Sequence, residues 1–592
     1  MTERLKHFYE EIKIPTIFSI FATFCCFLSM TPMRSDAGLT VCVLLYILSY
    51  VSARLIVKTY KHSLTFIDTV WKKILTVVFF IYFNISIYGM VYLESNGLDG
   101  FKLPKAVYPL VSLVWVTPLF FGLLYVVSKL MSAPKKNGTG LSIKVQIIAF
   151  LLLMLNYGIW LYAFNPCISS VDSGVLYNQA HQMMTVPMIN WHPPFYAIVL
   201  SFLLKICDSA TFLVILQCIA FSVLIVRMTD YLLRSGCNRF IGIMLYLLWG
   251  FSFNNVIQMI TLWKDIPYMI SLTWLTFLLA RFIKEKCNVS KSWYIRFVIA
   301  MALTALFRQN GILPAVAVAV FICVLGIIKK KYFALVSVVA FLAIIIIIEG
   351  PVYKFYKVES RSGLKYFALA NDIVGTYYLV DDPSDDVVEM VNEITENDPE
   401  NFGYNSYYTT YNRNALGEYS VPGFLSVYVK TFFRHPKELT LQFMRRNSVL
   451  WSIIKPEEEF AVCTNYKRDH HSDEYTYSYP KRVPNNLTEL FSKITDYLTD
   501  NSLVYLLAWR TGIYTIVLLA IYLYAFCKKK PISVLIYFPI VFNVLGLYAA
   551  SGWSDYRYSW PIEVTALFII PFMNCYLNES KTDESLKENK QG

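Results

Sequence analysis

The sequence predicts an all-α protein that crosses a membrane about fourteen times, and its composition and its apolar patterning are the two observations behind this prediction. Of the 592 residues, 56% are hydrophobic and only 16% are charged, whereas a soluble protein carries about 25% charged residues. Apolar runs of roughly 20 residues, each long enough to cross ~30 Å of hydrocarbon, recur along most of the chain. Because hydrocarbon offers the backbone no hydrogen-bond partners, such runs fold as helices.

The apolar runs locate the predicted spans. They lie near residues 14–32, 38–57, 74–93, 107–128, 145–164, 210–233, 240–260, 266–283, 294–307, 312–328, 332–350, 503–527, 531–550 and 557–577. One further apolar segment, 192–206, is left out because about 15 residues suit an interfacial or re-entrant helix better than a full crossing.

The distribution of charge orients these spans. Residues 351–500 carry 16 Lys/Arg and 22 Asp/Glu, a net charge of −6, and the rest of the chain carries +18. Lysine triplets at 329–331 and 528–530 lie in short turns, and positively charged turns face the cytoplasm. A full crossing by 192–206 would turn both triplets outward. We therefore predict a multi-pass protein of the cell membrane with both termini cytoplasmic and residues 351–500 extracytoplasmic.

This orientation divides the chain into four regions. They are an N-terminal four-helix transmembrane region (1–140), a transmembrane core (141–350), an extracytoplasmic domain (351–502), and the C-terminal transmembrane helices with a cytoplasmic tail (503–592). The basic residues sit in short turns and form no patch, so no nucleic-acid partner is expected. Membrane lipids are the first expected partners.

The extracytoplasmic domain is predicted to be mainly helical. Short helices are expected near 363–379, 385–396 and 434–451, and the last has an apolar face suited to the outer leaflet. Among the 12 cysteines, Cys167 and Cys463 fall in segments predicted to lie outside. A disulfide between them and two separate thiols are alternatives that the sequence leaves open.

Ionisable residues gather at the predicted outer ends of the spans, where each needs a physical reason. Asp172 lies among small residues in the first outer loop of the core, and His192 lies later in the same loop. A carboxylate there can accept a proton from a hydroxyl group or ligate a divalent cation. The structural alternatives are that Asp172 caps a helix near 174–184 and that His192 is packed within the loop.

Three further outer turns carry charged residues. Lys264 can neutralise a phosphate beside Asp265; helix capping by Asp265 with a snorkelling Lys264 is the alternative. Arg308, in a turn between two apolar helices, suits bidentate contact with a phosphate or contact with lipid head groups. Arg557 suits the same role, and pairing with Asp555 is its structural alternative. All these residues are predicted on one side of the membrane, which does not by itself bring them together.

The order of these motifs within residues 145–350 resembles the type-C (GT-C fold) superfamily of polytopic membrane glycosyltransferases, which includes protein O-mannosyltransferases and lipid A aminoarabinose transferases. The elements that carry the resemblance are Asp172, His192-Pro193-Pro194, Lys264-Asp265 and Arg308-Gln309-Asn310-Gly311. More specifically, the chain resembles an uncharacterised group of Gram-positive membrane proteins. It departs from many members at Ser173, where they have a second acidic residue, and its outer domain resembles no characterised sugar-binding module.

The resemblance implies a GT-C-like core with interfacial helices in its first outer loop. It also implies that a sugar moves from a polyprenyl-phosphate donor to an extracytoplasmic acceptor (a cell-wall polymer, a glycolipid or a protein) in one inverting displacement. Asp172 would be the general base. Asp265 would orient Asp172, bind the acceptor, or complete with Asp172 a site for Mg²⁺ or Mn²⁺. The residues implied to bind the donor phosphate are Lys264, Arg308, Arg557 and His192.

Three other functions are compatible with the sequence. A flippase or transporter for lipid-linked saccharides would also have many spans, but it predicts charges near the bilayer midplane and repeated halves. A polysaccharide polymerase or ligase would use basic residues of the large outer loop, such as His435, Arg445 and Arg446. A purely structural membrane scaffold is the third alternative.

Overall fold

The computed structural model describes residues 14–30, 36–94, 107–133, 138–183, 185, 187–190, 192–359, 366–400, 404–407, 419–456, 477, 480–528, 531–552 and 554–578. Helices make up almost all of its regular structure, in agreement with the all-α prediction. Helix starts follow ordinary sequence signals, since the side chains of Ser142, Ser209, Asn238 and Ser420 accept hydrogen bonds from backbone N–H groups of the helices that follow them. Such caps satisfy donors that a helix end would otherwise leave without partners.

The described part of the N-terminal region contains six α-helices. They are α1 (Ile14–Ser29), α2 (Asp36–Arg54), α3 (Ile56–Leu64), α4 (Val70–Asn84), α5 (Met90–Glu94) and α6 (Val107–Ser132). A π-helical turn at Ile85–Gly89 joins α4 to α5. The two therefore form one continuous apolar segment of 25 residues, which is long enough to cross a membrane.

The described part of the core contains eleven α-helices and one short strand. They are α7 (Ile143–Ala163), α8 (Val171–His181), β1 (Met188–Ile189), α9 (Pro194–Ile206), α10 (Ala210–Arg234), α11 (Arg239–Phe251), α12 (Phe253–Met259), α13 (Asp265–Lys284), α14 (Lys291–Phe307), α15 (Ile312–Ile328), α16 (Tyr332–Ile347) and α17 (Tyr353–Phe355). A 3₁₀ turn at Gln309–Gly311 connects α14 to α15, and a π-helical turn at Ile348–Val352 connects α16 to α17.

The chain then forms a polar region, called the inserted domain below (residues 356–501), and returns to apolar helices. The described elements are β2 (Val358–Glu359), α18 (Phe367–Tyr377), α19 (Asp385–Ile394), α20 (Val421–Arg434), α21 (Pro436–Arg446), α22 (Ser448–Trp451), α23 (Thr488–Asp500), α24 (Ser502–Trp509), α25 (Gly512–Cys527), α26 (Phe538–Ala550) and α27 (Tyr556–Leu577). A 3₁₀ segment at Pro531–Tyr537 precedes α26.

Nine helical segments among the described residues are long and apolar enough to cross a membrane, and up to twelve if each of three bent pairs is one span. The bent pairs are Thr40–Arg54 with Ile56–Leu64, Arg239–Phe251 with Phe253–Met259, and Leu503–Trp509 with Gly512–Cys527. The other two predicted spans coincide with α1 and α14, which have 16 and 17 residues. The chain is a multi-pass membrane protein. Its described residues contain nine to twelve helical segments that can span a membrane, and the predicted fourteen are not confirmed.

Two spans lie at the centre of the bundle. In α13 and α27, 78% and 72% of the most apolar stretch of the helix is buried inside the protein. The corresponding fraction is 22% in α7 and in the segment Tyr332–Phe355, which contains α16. The outer helices instead expose large apolar side chains, such as Ile148, Leu151 and Leu155 of α7. Packing against other helices holds a span in place more firmly than contact with lipid does. The residues at the ends of α13 and α27 are therefore held in defined positions.

The loop between α7 and α10 remains at one end of the bundle. Its apolar helix α9 has 13 residues and extends ~20 Å, which is too short for a full crossing and agrees with its exclusion from the predicted spans. Strand β1 in the same loop pairs in parallel with β2, with Met188 opposite Val358. The N–H of Asn190 extends this pairing by donating to the carbonyl of Glu359 at 3.0 Å. The loop is thereby tied to the start of the inserted domain.

The inserted domain has a small hydrophobic core of its own. Side chains from α18, α19 and α20 form it, among them Phe367, Ile373, Met390, Val391 and Phe424. Helix α18 also packs along α21 and against α26 of the membrane region. The domain therefore rests on the helix bundle through α18.

Two of the three helices predicted in this domain have close counterparts, because 363–379 and 385–396 correspond to α18 and α19. The third prediction, one helix at 434–451, is divided at Asn447 into α21 and α22. Helix α21 turns Leu439, Gln442 and Arg446 into the protein interior. The sequence suited this helix to the outer leaflet, whereas α21 packs inside the protein. The buried Arg446 is held there by the hydrogen-bond partners described below. Cys463 lies outside the described residues, so a disulfide with the buried Cys167 and two separate thiols both stay open.

Candidate functional site

Helix α8 presents Asp172 at its first turn. Ser170 is the N-cap, and it exchanges hydrogen bonds with Ser173 in a capping box: the N–H of Ser173 donates to Ser170 Oγ at 3.2 Å and the N–H of Ser170 to Ser173 Oγ at 3.0 Å. The capping role considered for Asp172 thus belongs to Ser170. The carboxylate of Asp172 is left for other partners, at a helix start that favours negative charge.

Backbone pairing brings this loop against the segment that precedes α13. The N–H of Ile168 donates to the carbonyl of Ile260 at 3.0 Å, and the N–H of Leu262 donates back to Ile168 at 3.1 Å. The hydroxyl of Ser173 adds a bond to the carbonyl of Leu262 at 2.5 Å. These bonds bring Asp172 close to Lys264 although the two residues are 92 positions apart in the chain.

Lys264 and Arg557 meet at a single carboxylate oxygen. Lys264 Nζ lies 2.9 Å from Asp172 Oδ2, and Arg557 Nη1 lies 2.9 Å from the same atom. Lys264 Nζ also lies 2.9 Å from Nδ1 of His192. An ammonium donates to this nitrogen only when the nitrogen carries no proton, so the contact describes a neutral His192. Three separate segments of the chain thus meet in one cluster, called the Asp172 cluster below.

Arg557 is held by several groups at once. Its Nε lies 2.8 Å from Asp555 Oδ2, and its Nη2 donates to the hydroxyl of Tyr558 at 2.9 Å. The guanidinium carbon lies 5.0 Å from the ring centre of Trp263 and 4.8 Å from that of Tyr558. Aromatic faces attract a cation and limit its movement. The structural alternative, pairing with Asp555, is therefore present in the structure, and Arg557 contacts Asp172 as well. Its role in binding a phosphate stays a prediction.

A second ion pair adjoins the cluster. Arg308 Nη1 lies 2.8 Å from Asp265 Oδ1, and both side chains are buried, with exposed fractions of 10% and 1%. The guanidinium of Arg308 lies 4.3 Å from the ring centre of Tyr558 and 5.6 Å from that of Tyr268. The ring of Tyr558 therefore contacts both arginines. Asp265 pairs with Arg308. The resemblance implied that Asp265 orients Asp172, binds the acceptor or completes a metal site, and these roles stay predictions.

Positive charge dominates the surroundings of Asp172. Burial would by itself raise the pKa of its carboxyl group, but Lys264 and Arg557 outweigh burial and hold the pKa well below its usual value. Asp172 is consequently a carboxylate at neutral pH. Among the described groups of the site, the charges of Lys264, Arg308 and Arg557 formally balance those of Asp172, Asp265 and Asp555.

The donor set does not suit a divalent cation. Each candidate ligand already has a cationic partner, Lys264 and Arg557 at Asp172 and Arg308 at Asp265, and these charges repel a metal ion. Among the residues that the structure describes, no three His, Cys, Asp or Glu side chains gather as metal ligands. The Mg²⁺ or Mn²⁺ site implied by the resemblance stays a prediction that these pairings do not support.

Two aromatic residues of the site were not selected from the sequence. Trp263 packs on Arg557, and its indole N–H donates to Ser170 Oγ; Tyr558 contacts both arginines. Their only sequence signal is that each adjoins a selected basic residue in the chain. Gln309 is a third addition, since its amide donates to the carbonyl of Asn190 at 2.6 Å and links the Arg308 turn to the His192 loop.

The basic residues proposed for a polymerase or ligase have structural partners. Arg446 forms a fully buried ion pair with Asp372, and Arg445 pairs with Glu94 at 3.2 Å. These contacts account for Arg445 and Arg446 through packing within the inserted domain and against the N-terminal region. At His435, which precedes α21, the backbone N–H donates to the carbonyl of Thr431 at 2.8 Å, and this bond does not involve the imidazole.

Taken together, the fold and the site define an all-helical, multi-pass membrane protein with a polar cluster where α8, α13 and α27 begin. No family model matches the chain. No curated protein and no solved structure matches it either.

Proposed function

We propose that this protein is a membrane glycosyltransferase that moves a sugar from a polyprenyl-phosphate donor to an extracytoplasmic acceptor in one inverting displacement. The supporting observation is the meeting of Lys264, Arg557 and His192 around one carboxylate, Asp172, at a common end of the apolar helices. A lipid-linked donor can reach this end from the membrane while its charged phosphate and sugar lie outside the hydrocarbon. The acceptor is a cell-wall polymer, a glycolipid or a protein.

Lys264 and Arg557 are the groups that hold the donor phosphate in this proposal. Both cations already contact Asp172, so a phosphate must share them with the carboxylate. The planar guanidinium of Arg557 can do so because it presents several N–H donors in a fixed plane. During transfer the bond between the sugar carbon and the phosphate oxygen breaks, and the bonding electrons leave with polyprenyl phosphate. The two cations stabilise this negative charge as it develops.

Asp172 is the general base of the proposed reaction. The acceptor oxygen attacks the sugar carbon opposite the phosphate, and its proton passes to the Asp172 carboxylate. A carboxylate whose pKa lies well below the usual value is a weak base. When the donor phosphate binds Lys264 and Arg557, its negative charge raises the pKa of Asp172. Binding of the donor thereby strengthens the base that the acceptor needs.

The decisive variant is Asp172→Asn in the full-length protein, purified and reconstituted in lipid nanodiscs. We expect a loss of sugar transfer of about 10³-fold, because the amide cannot take the proton. A panel of polyprenyl-phosphate sugars with labelled sugar groups would be the donors, and product formation the measurement. Asp208→Asn is the matched control, since Asp208 lies in the same loop with 66% of its side chain exposed. Wild-type turnover by Asp172→Asn would remove Asp172 from the mechanism.

A flippase for lipid-linked saccharides is the second candidate, and a separate observation favours it. Glu563 lies buried in α27, where its carboxylate accepts bonds from Asn254 and Tyr556 at 2.9 and 2.6 Å. Asn254 belongs to α12, directly after the 47° bend between α11 and α12. Bent spans and buried carboxylates are typical of transporters. Glu563→Gln should abolish lipid movement in a flippase, whereas Asp172→Asn should abolish sugar transfer in a glycosyltransferase.

A further inference from the structure

A short loop, residues 551–555, connects α26 to α27 and leads to Arg557 in the first turn of α27. Asp555 is the N-cap of α27: it accepts the N–H of Arg557 at Oδ1 over 3.0 Å and pairs with Arg557 Nε at Oδ2 over 2.8 Å. We propose that the inserted domain positions Arg557 by binding this loop through a buried ion pair, Asp372–Arg446. The proposal rests on the role of Arg557 in the function proposed above.

The ion pair is bidentate and closed to solvent. Arg446 Nε donates to Asp372 Oδ1 at 2.8 Å, and Nη2 donates to Oδ2 at 2.9 Å. The exposed fractions of the two side chains are 1% and 0%. A buried pair of this kind adds little stability compared with apolar packing, but it fixes orientation, because its parallel hydrogen bonds allow one relative placement of the two groups.

The remaining donors of Arg446 reach out of the inserted domain to the membrane helices. Nη1 donates to the carbonyl of Ser551, and Nη2 donates to that of Tyr548 at 3.4 Å. Both carbonyls belong to the end of α26, where a helix leaves its last carbonyl groups without partners. Asp372 orients the guanidinium, and the guanidinium in turn holds the end of α26. A lysine at position 446 could not make these four contacts in one plane.

Neighbours of the pair hold the rest of the loop. Asn371 donates its amide to the carbonyl of Gly552, and the ring of Phe367 lies so close to Gly552 that a Cβ atom there would overlap it. Both residues belong to α18, the helix that carries Asp372. The glycine is required here because the loop backbone approaches the aromatic ring directly.

A third set of contacts holds Ser554, directly before Asp555. The hydroxyl of Ser554 lies 2.8 Å from that of Ser448 and accepts the N–H of Val449 at 3.1 Å. The N–H of Ser554 donates to the carbonyl of Tyr407 at 3.1 Å. The loop is thus bound to the inserted domain at Ser551, Gly552 and Ser554, and Asp555 and Arg557 follow within three residues. The inserted domain thereby fixes the distance between Arg557 and Asp172.

The first test compares the full-length protein with Asp372→Asn and Arg446→Lys in nanodiscs. We expect amide hydrogen exchange of residues 551–558 to become at least tenfold faster in both variants, and binding of polyprenyl phosphate to weaken at least tenfold. The matched control is the exposed pair Arg434–Asp382 of the same domain, changed to Arg434→Lys or Asp382→Asn, which should alter neither measurement. Unchanged exchange of residues 551–558 in Asp372→Asn would overturn the proposal.

A double-mutant cycle separates positioning from general stability. If Asp372 acts through Arg557, then Asp372→Asn weakens polyprenyl-phosphate binding in the wild-type protein but has less than a twofold effect in an Arg557→Gln background. If the double variant instead weakens polyprenyl-phosphate binding by the product of the two single-variant factors, the proposal is overturned. Should Asp372→Asn fail to fold, Ser554→Ala removes the contacts to Ser448 and Val449 without altering the ion pair, and we expect a smaller effect in the same direction.

Failure of this inference and failure of the proposed function give different results. A wild-type protein that binds no polyprenyl phosphate would contradict the function, while the exchange of residues 551–558 still reports whether Asp372 and Arg446 hold the loop. Normal binding of polyprenyl phosphate by Arg446→Lys, together with unchanged exchange, would contradict the positioning role alone.

Discussion

Asp172 is the residue whose chemistry the structure determines most closely. Its carboxylate receives Lys264 and Arg557 on one oxygen, and these cations lower its pKa despite burial. Because the folded pKa lies below the unfolded value of ~3.9, these contacts stabilise the folded protein at pH values above 3.9. That stabilisation is lost as the pH falls through the folded pKa. Asp172 can thus serve structure and chemistry at neutral pH.

Removing one of the two cations beside Asp172 should change the pKa of its carboxyl group. Lys264→Met leaves Arg557 as the main cationic partner, so we expect the pKa of Asp172 to rise toward its usual value. The acidic limb of the pH profile of kcat/KM should therefore move to higher pH. The pH dependence of the thermal unfolding midpoint gives a second measurement that needs no substrate. Lys493→Met, in an exposed pair with Glu489, is the control, and an unchanged acidic limb in Lys264→Met would contradict the assignment.

At the scale of elements, the turn between α14 and α15 holds Arg308 by close packing. A Cβ atom on Gly311 would lie 2.0 Å from the carbonyl oxygen of Thr304 and 2.8 Å from the ring of Tyr268. The same turn faces α26, where Gly546 lies against Asn310 with more space: a Cβ atom there would lie 3.5 Å from the nearest atoms. Gly311 therefore leaves no room for a methyl group, whereas Gly546 does.

This difference gives a matched pair of variants. Gly311→Ala should destabilise the protein by about 1–3 kcal/mol, because the turn must shift away from α14. Gly546→Ala should change stability by less than about 0.5 kcal/mol, because its methyl group meets ordinary contact distances. Thermal unfolding of both variants in nanodiscs measures the effect. Equal stability of the two would show that the turn is less tightly packed than the structure indicates.

At the scale of the whole molecule, the first turns of three helices meet at one end of the bundle. The starts of α8, α13 and α27 meet at the Asp172 cluster, and the inserted domain contacts the same end of the bundle through the loop before α27. The site and the inserted domain therefore face the same compartment. The positive-inside rule predicts that this compartment lies outside the cytoplasm, because the lysine triplet at 329–331 lies at the opposite end of α15 from Arg308.

Labelling in intact cells tests this orientation. In a Cys207→Ser/Cys463→Ser background, Asp382→Cys should react with a membrane-impermeant maleimide, because 92% of the Asp382 side chain is exposed. Lys330→Cys should react only after the cells are permeabilised. The readout is the fraction of protein that gains the mass of the label. Labelling of Lys330→Cys in intact cells would reverse the orientation and with it the proposed access of the donor.

The amino-acid sequence by itself determined the membrane class and the positions of the helices. Apolar length and charged turns report directly on the transfer of each segment into lipid, so α13 and α27 were located to within a few residues. The same alternation indicated that Asp172, Lys264, Arg308 and Arg557 lie at one end of the bundle. Each of these conclusions depends on properties of single segments.

Only the tertiary structure decided which charges pair. Asp172 contacts Lys264 and Arg557 across 92 and 385 positions of the chain, Asp265 turns to Arg308, and Arg446 is buried against Asp372. Local patterns fix how deep a helix lies in the membrane, but not its rotation or its neighbours. Those follow from the packing of side chains across the whole bundle, because each close contact depends on the shapes of residues far apart in the sequence.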